Sequence, residues 1–503
     1  MTPAPPPFPT FGPDIPHALN KHIYQSLVAP PTEHVTLCGF EGPEKLIEVS
    51  FKYPAALSVR GDALSALDAL SLDDAQRDLF VDDVDEPLSP SADSIEDEST
   101  ASSCATPEHD QWHSRRTGLR TVPRAVWDDM LEIVKARVLS TLHNEHLDAY
   151  LLSESSLFVY PDRVIIKTCG TTTLLNALPR ILEIAKEYCG MSEIDTLFYS
   201  RKAFLFPEKQ LWPHGRWGDE VAYLDDMFPA AEYETGGYVV GKINGDHWCL
   251  YMATMLPREA ACAAAEEEAS ETSSIEERHT PESCSSSDSE NDDAPEEDEV
   301  TLEIMMTGLD PAKMKHFWRT PEEQQRAQEI ERGECANDYA SEYRVYKDTG
   351  IQSIYPDAKV DHFLFDPCGY SINGILGKHY FTYHVTPEEI CSYASFETTI
   401  PVRGFFPHSH QGDGYDYDSF EELIHKVIQS FGPSQFSVTL FTHRSAGRRH
   451  GVKGTGLLNG SIEGFKRKDR IGHSLGKWDL IFCHYEKAGG SRAAAPKGVR
   501  QLR

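Results

Sequence analysis

The stretch DAYLLSESSLFVYPDRVIIKTCGTTTLLNALPRILEIAKEY, residues 148–188, sets the fold class. Two runs rich in β-branched and aromatic residues flank Tyr160-Pro161-Asp162, which predicts two antiparallel strands joined by a tight turn. A helix is predicted to open after Gly170, with Thr171, Thr172 and Thr173 as its cap. Working outward, further strands are predicted at 46–51, 195–200, 238–243, 248–253, 301–308, 362–367, 379–385, 392–398, 436–442 and 478–485. Helices are predicted over 122–140, where Val126, Met130, Ile133, Val134 and Val138 hold helical spacing, over 321–334 and over 419–431. Strands outnumber helices and several links are short, so the expected class is α+β, antiparallel sheets with helices outside. No internal repeat is visible in the sequence.

The charge is distributed unevenly. The 503 residues carry a formal net charge of −33, but residues 73–110 alone contribute −12 and 259–298 contribute −14. The remaining body is only mildly acidic. Inserts at about 61–114 and 258–298, with stretches such as SPSADSIEDESTASS, lack the apolar residues to fold and are expected to be disordered. A Pro-containing leader (1–35) precedes the body (36–490), and a basic flexible tail (491–503) follows it. An acidic chain argues against a general nucleic-acid binder. No run of 18 apolar residues is present, so no membrane span is expected. The start has no basic segment leading into an apolar run, which argues against a secretory signal. Eleven cysteines without a CxxC pair point to a reduced, cytoplasmic protein with no zinc ribbon and no expected metal.

Phosphate-loop, nucleophile-elbow and zinc-protease patterns are all absent. What stands out is Glu154-Ser155-Ser156 between strand-like flanks, which taken alone reads as a polar strand end. Its context is more specific. LSESS is followed by KTCGTT (167–172), PCGYS (367–371) and HVTPE (384–388). GFEGPEKLIEV (39–49), LFYSRK (197–202), TLEIMMTGLDPAKM (301–314), YASFET (393–398), VTLF (438–441) and IEGFKR (462–467) complete an ordered series. With these blocks the chain resembles the eukaryotic S-adenosylmethionine decarboxylases, pyruvoyl enzymes that make their own cofactor. The resemblance covers most of the chain outside the leader, inserts and tail.

It implies a four-layer αββα sandwich of two antiparallel sheets flanked by helices. It also implies self-cleavage between Glu154 and Ser155 into a β chain, 1–154, and an α chain, 155–503, which stay together. The Ser155 hydroxyl would attack the preceding carbonyl, and β-elimination and hydrolysis would leave a pyruvoyl group. His384 matches the family's processing base, near neutrality by its ordinary pKa. Ser371 matches the second processing residue. The pyruvoyl carbonyl would form a Schiff base with the amine of S-adenosyl-L-methionine and accept the electrons released as CO₂ leaves. Cys169 matches the proton donor, a role suited to a thiol that titrates near neutrality; as an isolated residue it would read as a small core side chain.

For the substrate, Phe40 and Phe365 match an aromatic sandwich for the adenine, Glu388 the carboxylate on the ribose hydroxyls, and Glu154 and Cys368 neighbours of the site. Glu41 and Glu44 match acids that affect processing and catalysis. Many members are activated by putrescine in an acidic pocket between the sheets. The matching positions are Glu48, Glu299, Thr301, Glu303 and Glu397, with Lys167 as a link and Phe198 and Phe441 as aromatic neighbours. The product would supply aminopropyl groups for spermidine and spermine. Family members often form homodimers. A catalytically poor regulatory subunit activating a paralogue is the alternative; such a chain is expected to lose Ser155, Cys169, Ser371 or His384, and all four are present.

Overall fold

Side chains alternate between the two faces of each strand, and most central strands bury both faces, which organises the molecule into layers. The computed structural model describes residues 40–53, 116–256, 299–333, 335, 339–403, 417–444 and 456–489. The leader, both acidic inserts and the basic tail lie outside the described residues. The first sheet contains β1 (Lys45–Phe51), β2 (Val138–His143), β3 (Asp148–Leu152), β4 (Ser155–Val159), β5 (Arg163–Thr168), β6 (Ile194–Lys202), β7 (Tyr233–Gly241) and β8 (His247–Met255). The second contains β9 (Val300–Thr307), β10 (Lys359–Leu364), β11 (Tyr370–Leu376), β12 (His379–Thr386), β13 (Tyr393–Thr398), β14 (Gln435–His443), β15 (Phe465–Leu475) and β16 (Trp478–Lys487). Every pairing is antiparallel.

Strand order is β2-β3-β4-β5-β1-β6-β8-β7 in one sheet and β10-β11-β12-β13-β9-β14-β16-β15 in the other. The second order is the first shifted by eight strands. The topology is therefore duplicated where the sequence shows no repeat, because backbone pairing can repeat a strand order without repeating side chains.

Helices cover the outer faces. Trp127, Met130 and Leu131 of α1 (Arg124–Ile133), Ile181, Ile184 and Ala185 of α2 (Leu178–Cys189), and Leu224 of α3 (Trp217–Met227) pack on the outward residues of the first sheet, among them Ile47, Val49, Val164 and Ile166. The second sheet turns Leu302, Ile304, Met306, Ala394 and Phe396 outward, against Val345 and Tyr346 of α5 (Ala340–Asp348) and Leu423, Val427 and Phe431 of α6 (Phe420–Phe431). A more polar α4 (Pro321–Glu331) opens with a Thr320–Glu323 capping box and buries no residue. Between the sheets, Trp248, Leu250 and Met252 meet Met305, Leu480 and Phe482, and Phe158 stacks on Tyr380 at 4.1 Å. The result is the expected αββα sandwich.

Several local expectations change. The threonine run does not cap α2: a 3₁₀ turn, Leu174–Ala177, intervenes, and the Thr172 hydroxyl bonds Thr168 and the Cys169 carbonyl instead. Pro179 starts α2 and Gly190, at φ 65°, ends it. The first helix stops at Ile133, because Lys135 turns into the left-handed region at φ 59°, and Val138 opens a strand. Helices α3 and α5 and strands β2, β11 and β15 escaped the sequence reading, and the one strand expected before Tyr160 is two, β3 and β4, folded back at Ser153-Glu154. In β15, FKRKDRIGHSL, no residue is fully buried, so no alternation exists to read.

Candidate active site

β3 and β4 form a hairpin whose loop is only Ser153-Glu154, with Leu152 opposite Ser155. A loop this short forces unusual torsions. Ser155 adopts φ 139°, a conformation rare for a residue with a Cβ and costing about 1–3 kcal/mol. Its Oγ is buried and has no hydrogen-bond partner. The register continues Thr168 opposite Ser155, so Cys169 arrives beside the loop. The Cys169 backbone N–H donates to the Glu154 carbonyl at 2.9 Å, and its thiol donates to the same oxygen at 3.3 Å. An unpartnered hydroxyl thus follows a carbonyl that already receives two donors.

Strands β11 and β12 complete the site from the opposite sheet. They pair Ser371 with His384 and Asn373 with Thr382, so period 2 aims all four at the first sheet. Ser371 Oγ lies 2.9 Å from His384 Nδ1, while His384 Nε2 meets Thr382 Oγ1 at 2.9 Å and Ser156 Oγ at 3.0 Å. Ser156 Oγ also donates to Asn373 Oδ1 at 2.7 Å, and Asn373 Nδ2 is buried without a partner. Burial, with the Lys167 charge behind it, holds His384 well below its ordinary pKa, so the ring is neutral at pH 7 rather than partly protonated. The Cys169 thiol also departs from expectation. Burial first, then the Glu154 and Glu44 carboxylates, push it well above its ordinary value, so it is held as S–H.

Phe40 is exposed and its ring borders Gly170, where φ is 64° and a Cβ would come within 3.3 Å of Phe40 Cε2 and 3.4 Å of Glu154 Oε2. Phe365 packs edge-on against Phe363 at 4.9 Å, and its N–H donates to Gly369. Cys368 bridges to Trp318, and burial, then Glu388, raise its thiol to about 12. Phe40 therefore stands on the first sheet's side and Phe365, Cys368 and Glu388 on the second's; no ring contact among the described residues joins the two phenylalanines. Glu41 is not a surface charge: its carboxylate accepts the Leu205 and Phe206 N–H groups at 2.8 and 2.7 Å. Glu44 is buried and accepts the Tyr393 and Ser395 hydroxyls, Ser395 being the β13 partner of His384. Burial raises both carboxyls above their ordinary value.

A second polar cluster lies deeper between the sheets. Lys167 Nζ bonds Glu397 at 2.9 Å and Glu303 at 3.2 Å. Arg163, which the sequence reading did not single out, bonds Glu299 at 3.0 Å and Glu48 at 3.2 Å. Glu48 and Glu303 are each raised to about 7, by burial first and by neighbouring carboxylates as well. Phe198 meets Phe441 at 5.6 Å and Trp478 at 5.3 Å. Thr301 shares the β9 face of Glu303. Ser156 was noted in the sequence without a role, and Asn373, Thr382 and Arg163 were missed; Asn373 and Thr382 lie two positions from Ser371 and His384 on the same strand faces.

The sequence profile of adenosylmethionine decarboxylase matches residues 103–486. The chain is 34% identical over 370 residues to the S-adenosylmethionine decarboxylase proenzyme of Xenopus laevis, spanning 73% of this chain and 88% of that protein. It is 33% identical over 375 residues to the proenzyme of Drosophila melanogaster, spanning 74% and 91%. Among solved structures, the Trypanosoma brucei AdoMetDC-delta26 monomer is similar at 24% identity and a TM-score of 0.40, covering 66% of this chain and 98% of that one.

Proposed function

This chain belongs to the adenosylmethionine decarboxylase family, and from that premise we propose that it cuts itself between Glu154 and Ser155 and then decarboxylates S-adenosyl-L-methionine. The observation that carries the proposal is Ser155: a strained residue with an unpartnered buried hydroxyl, next to a carbonyl that Cys169 already polarises. That setting fits a serine to be consumed in forming a pyruvoyl group.

Ser155 Oγ attacks the Glu154 carbonyl carbon. The charge that develops on the carbonyl oxygen meets the Cys169 N–H and S–H, donors already in position. The C–N bond then breaks, leaving an ester and a free amine on residue 155. His384, neutral and linked to the site through the Ser156 hydroxyl, takes the Ser155 Cα proton; the Glu154 carboxylate leaves and the chains part. Ser371 holds the other ring nitrogen and fixes the ring's orientation. Hydrolysis of the resulting dehydroalanine releases ammonia and leaves the pyruvoyl carbonyl.

The pyruvoyl group supplies an electron sink for the bond broken as CO₂ departs. Cys169, held as S–H, keeps the proton that the substrate carbon requires. Phe40 and Phe365 flank the adenine from opposite sides of the site, and Glu388 takes the ribose hydroxyls. The product would serve as the aminopropyl donor for spermidine and spermine. Putrescine is proposed for the inter-sheet cluster, where, among the described residues, Glu44, Glu48, Glu299, Glu303 and Glu397 face Lys167 and Arg163 as cations. A dication offsets part of that excess.

Mass analysis of the purified protein tests the reading. The expected products are a fragment ending at Glu154 and an amine-free fragment beginning at residue 155, with Ser155→Ala remaining uncut. Wild-type protein that stays at full mass after long incubation, with no carbonyl terminus, would defeat it.

A further inference from the structure

Lys45 is fully buried, and no carboxylate among the described residues lies within ion-pair distance of its ammonium. It sits on the outward face of β1, between Thr168 of β5 and Arg201 of β6. Arg201 there already engages Glu220 through two hydrogen bonds at 2.8 and 3.0 Å, and His214 Nδ1 approaches the same carboxylate at 2.8 Å. The Lys45 ammonium bonds neutral groups instead: the Gly170 carbonyl at 3.1 Å and Gln210 Oε1 at 3.4 Å, with the Phe204 ring 5.3 Å away. Burying an ammonium without a counter-charge is costly, so its retention asks for a reason.

Its position supplies one. Gly170 follows Cys169 directly, and its N–H is fixed by the Glu41 carbonyl at 2.8 Å. Gln210 Nε2 reinforces the grip on the Gly170 carbonyl at 3.3 Å. We propose that Lys45 is a positioning residue for Cys169, holding the thiol at the Glu154 carbonyl and supplying the positive charge that lets it release its proton. The inference rests on Cys169 being the proton donor.

The surrounding charges agree with this role. Glu154 and Glu44 oppose thiolate formation, and Lys45 is the cation that favours it. Burial lowers Lys45 to about 8, against the pull of Cys169, Glu41 and Glu220 and with the help of Arg201. Below that pH the ammonium faces the thiol as a charge; above it the ammonium is lost before the thiol ionises.

The test follows the rate of Cys169 alkylation by iodoacetamide against pH, read on the Cys169 peptide by mass. The uncut Ser155→Ala chain is used, so self-cleavage and its failure are seen separately in the wild-type protein. With Lys45 present, the rate is expected to climb with pH, level off near pH 8 as the ammonium is lost, and climb again when the thiol itself ionises. Lys45→Met should react at least about tenfold more slowly at pH 7, the equivalent of one pKa unit, and show no levelling. Lys45→Arg should restore the rate at pH 7, again without levelling, because its charge persists. Equal slowing in both variants would make the residue merely structural and overturn the proposal. So would a climb in the Lys45 chain that never levels before the thiol itself ionises, a result that needs no folded variant.

Discussion

Ser155 and His384 divide the proposed maturation between them, and each can be removed separately. His384→Ala leaves the acyl shift its nucleophile and its two Cys169 donors, but removes the base for elimination. The expected result is an ester-linked chain that hydroxylamine splits between residues 154 and 155, with spontaneous cleavage slowed about 10²–10⁴-fold. Electrophoresis with and without hydroxylamine reads this directly; a chain that neither reagent nor time can split argues against the ester. At this scale the sequence was legible through its motifs. LSESS, KTCGTT, PCGYS and HVTPE pointed to Ser155, Cys169, Ser371 and His384, and the fold brings the last two against Ser156. The proton affinities were not legible. Burial makes His384 a neutral ring and Cys169 a held thiol, and no local spacing reveals how much water a distant strand will exclude. Arg163 and Lys45 escaped for a related reason: Arg163 matters through Glu299 across the sandwich, and Lys45 through the Gly170 carbonyl that the neighbouring strand of its own sheet delivers.

The strands that carry the site are buried on both faces; β4, β5, β9, β12 and β13 were readable from their β-branched and aromatic residues, whereas β11 was not recognised. Nor was the edge strand β15, and Val138 passed for helix because a valine at helical spacing is also a good strand former. Packing between the sheets contains one polar lock far from the proposed chemistry. Asp246, in the β7–β8 link, bonds Lys202 of β6, Ser437 of β14 and, at 3.1 Å, His484 of β16. Burial alone would raise its carboxyl; Lys202, His484 and Ser437 more than offset this and hold it below the ordinary range. Asp246→Asn leaves Lys202 buried without its charge partner and should cost about 3–5 kcal/mol in thermal or urea unfolding. A carboxyl with a depressed folded pKa stabilises the fold above its unfolded value and loses that contribution as pH falls. The gap between wild type and Asp246→Asn is therefore expected to narrow below about pH 4. A gap that stays constant into acid would assign the loss to packing alone.

Across the whole molecule, the acidic cluster couples the two sheets to pH. The Glu48 and Glu303 carboxyls, raised from 4.5 to about 7, keep protons in the folded chain that they lose on unfolding. Their contribution to stability accordingly falls as pH rises between those values. Putrescine would favour the ionised form, so its stabilisation should be greater at pH 8 than at pH 6, reaching about 2.7 kcal/mol at a hundredfold excess over its dissociation constant. Melting temperatures with and without putrescine at the two pH values decide this; equal shifts would place the diamine elsewhere or nowhere. The duplicated topology has a different consequence. β1, β2 and β3 precede the proposed cut, yet β1 lies between β5 and β6 in the middle of its sheet. A severed small chain would remain woven into the large one, without a route out short of unfolding. Maturation would then erase the connectivity that guided assembly. A denatured mature protein would have to recover its fold by an encounter between two molecules, with a yield that climbs with concentration, while the uncut Ser155→Ala chain would refold at a rate indifferent to dilution.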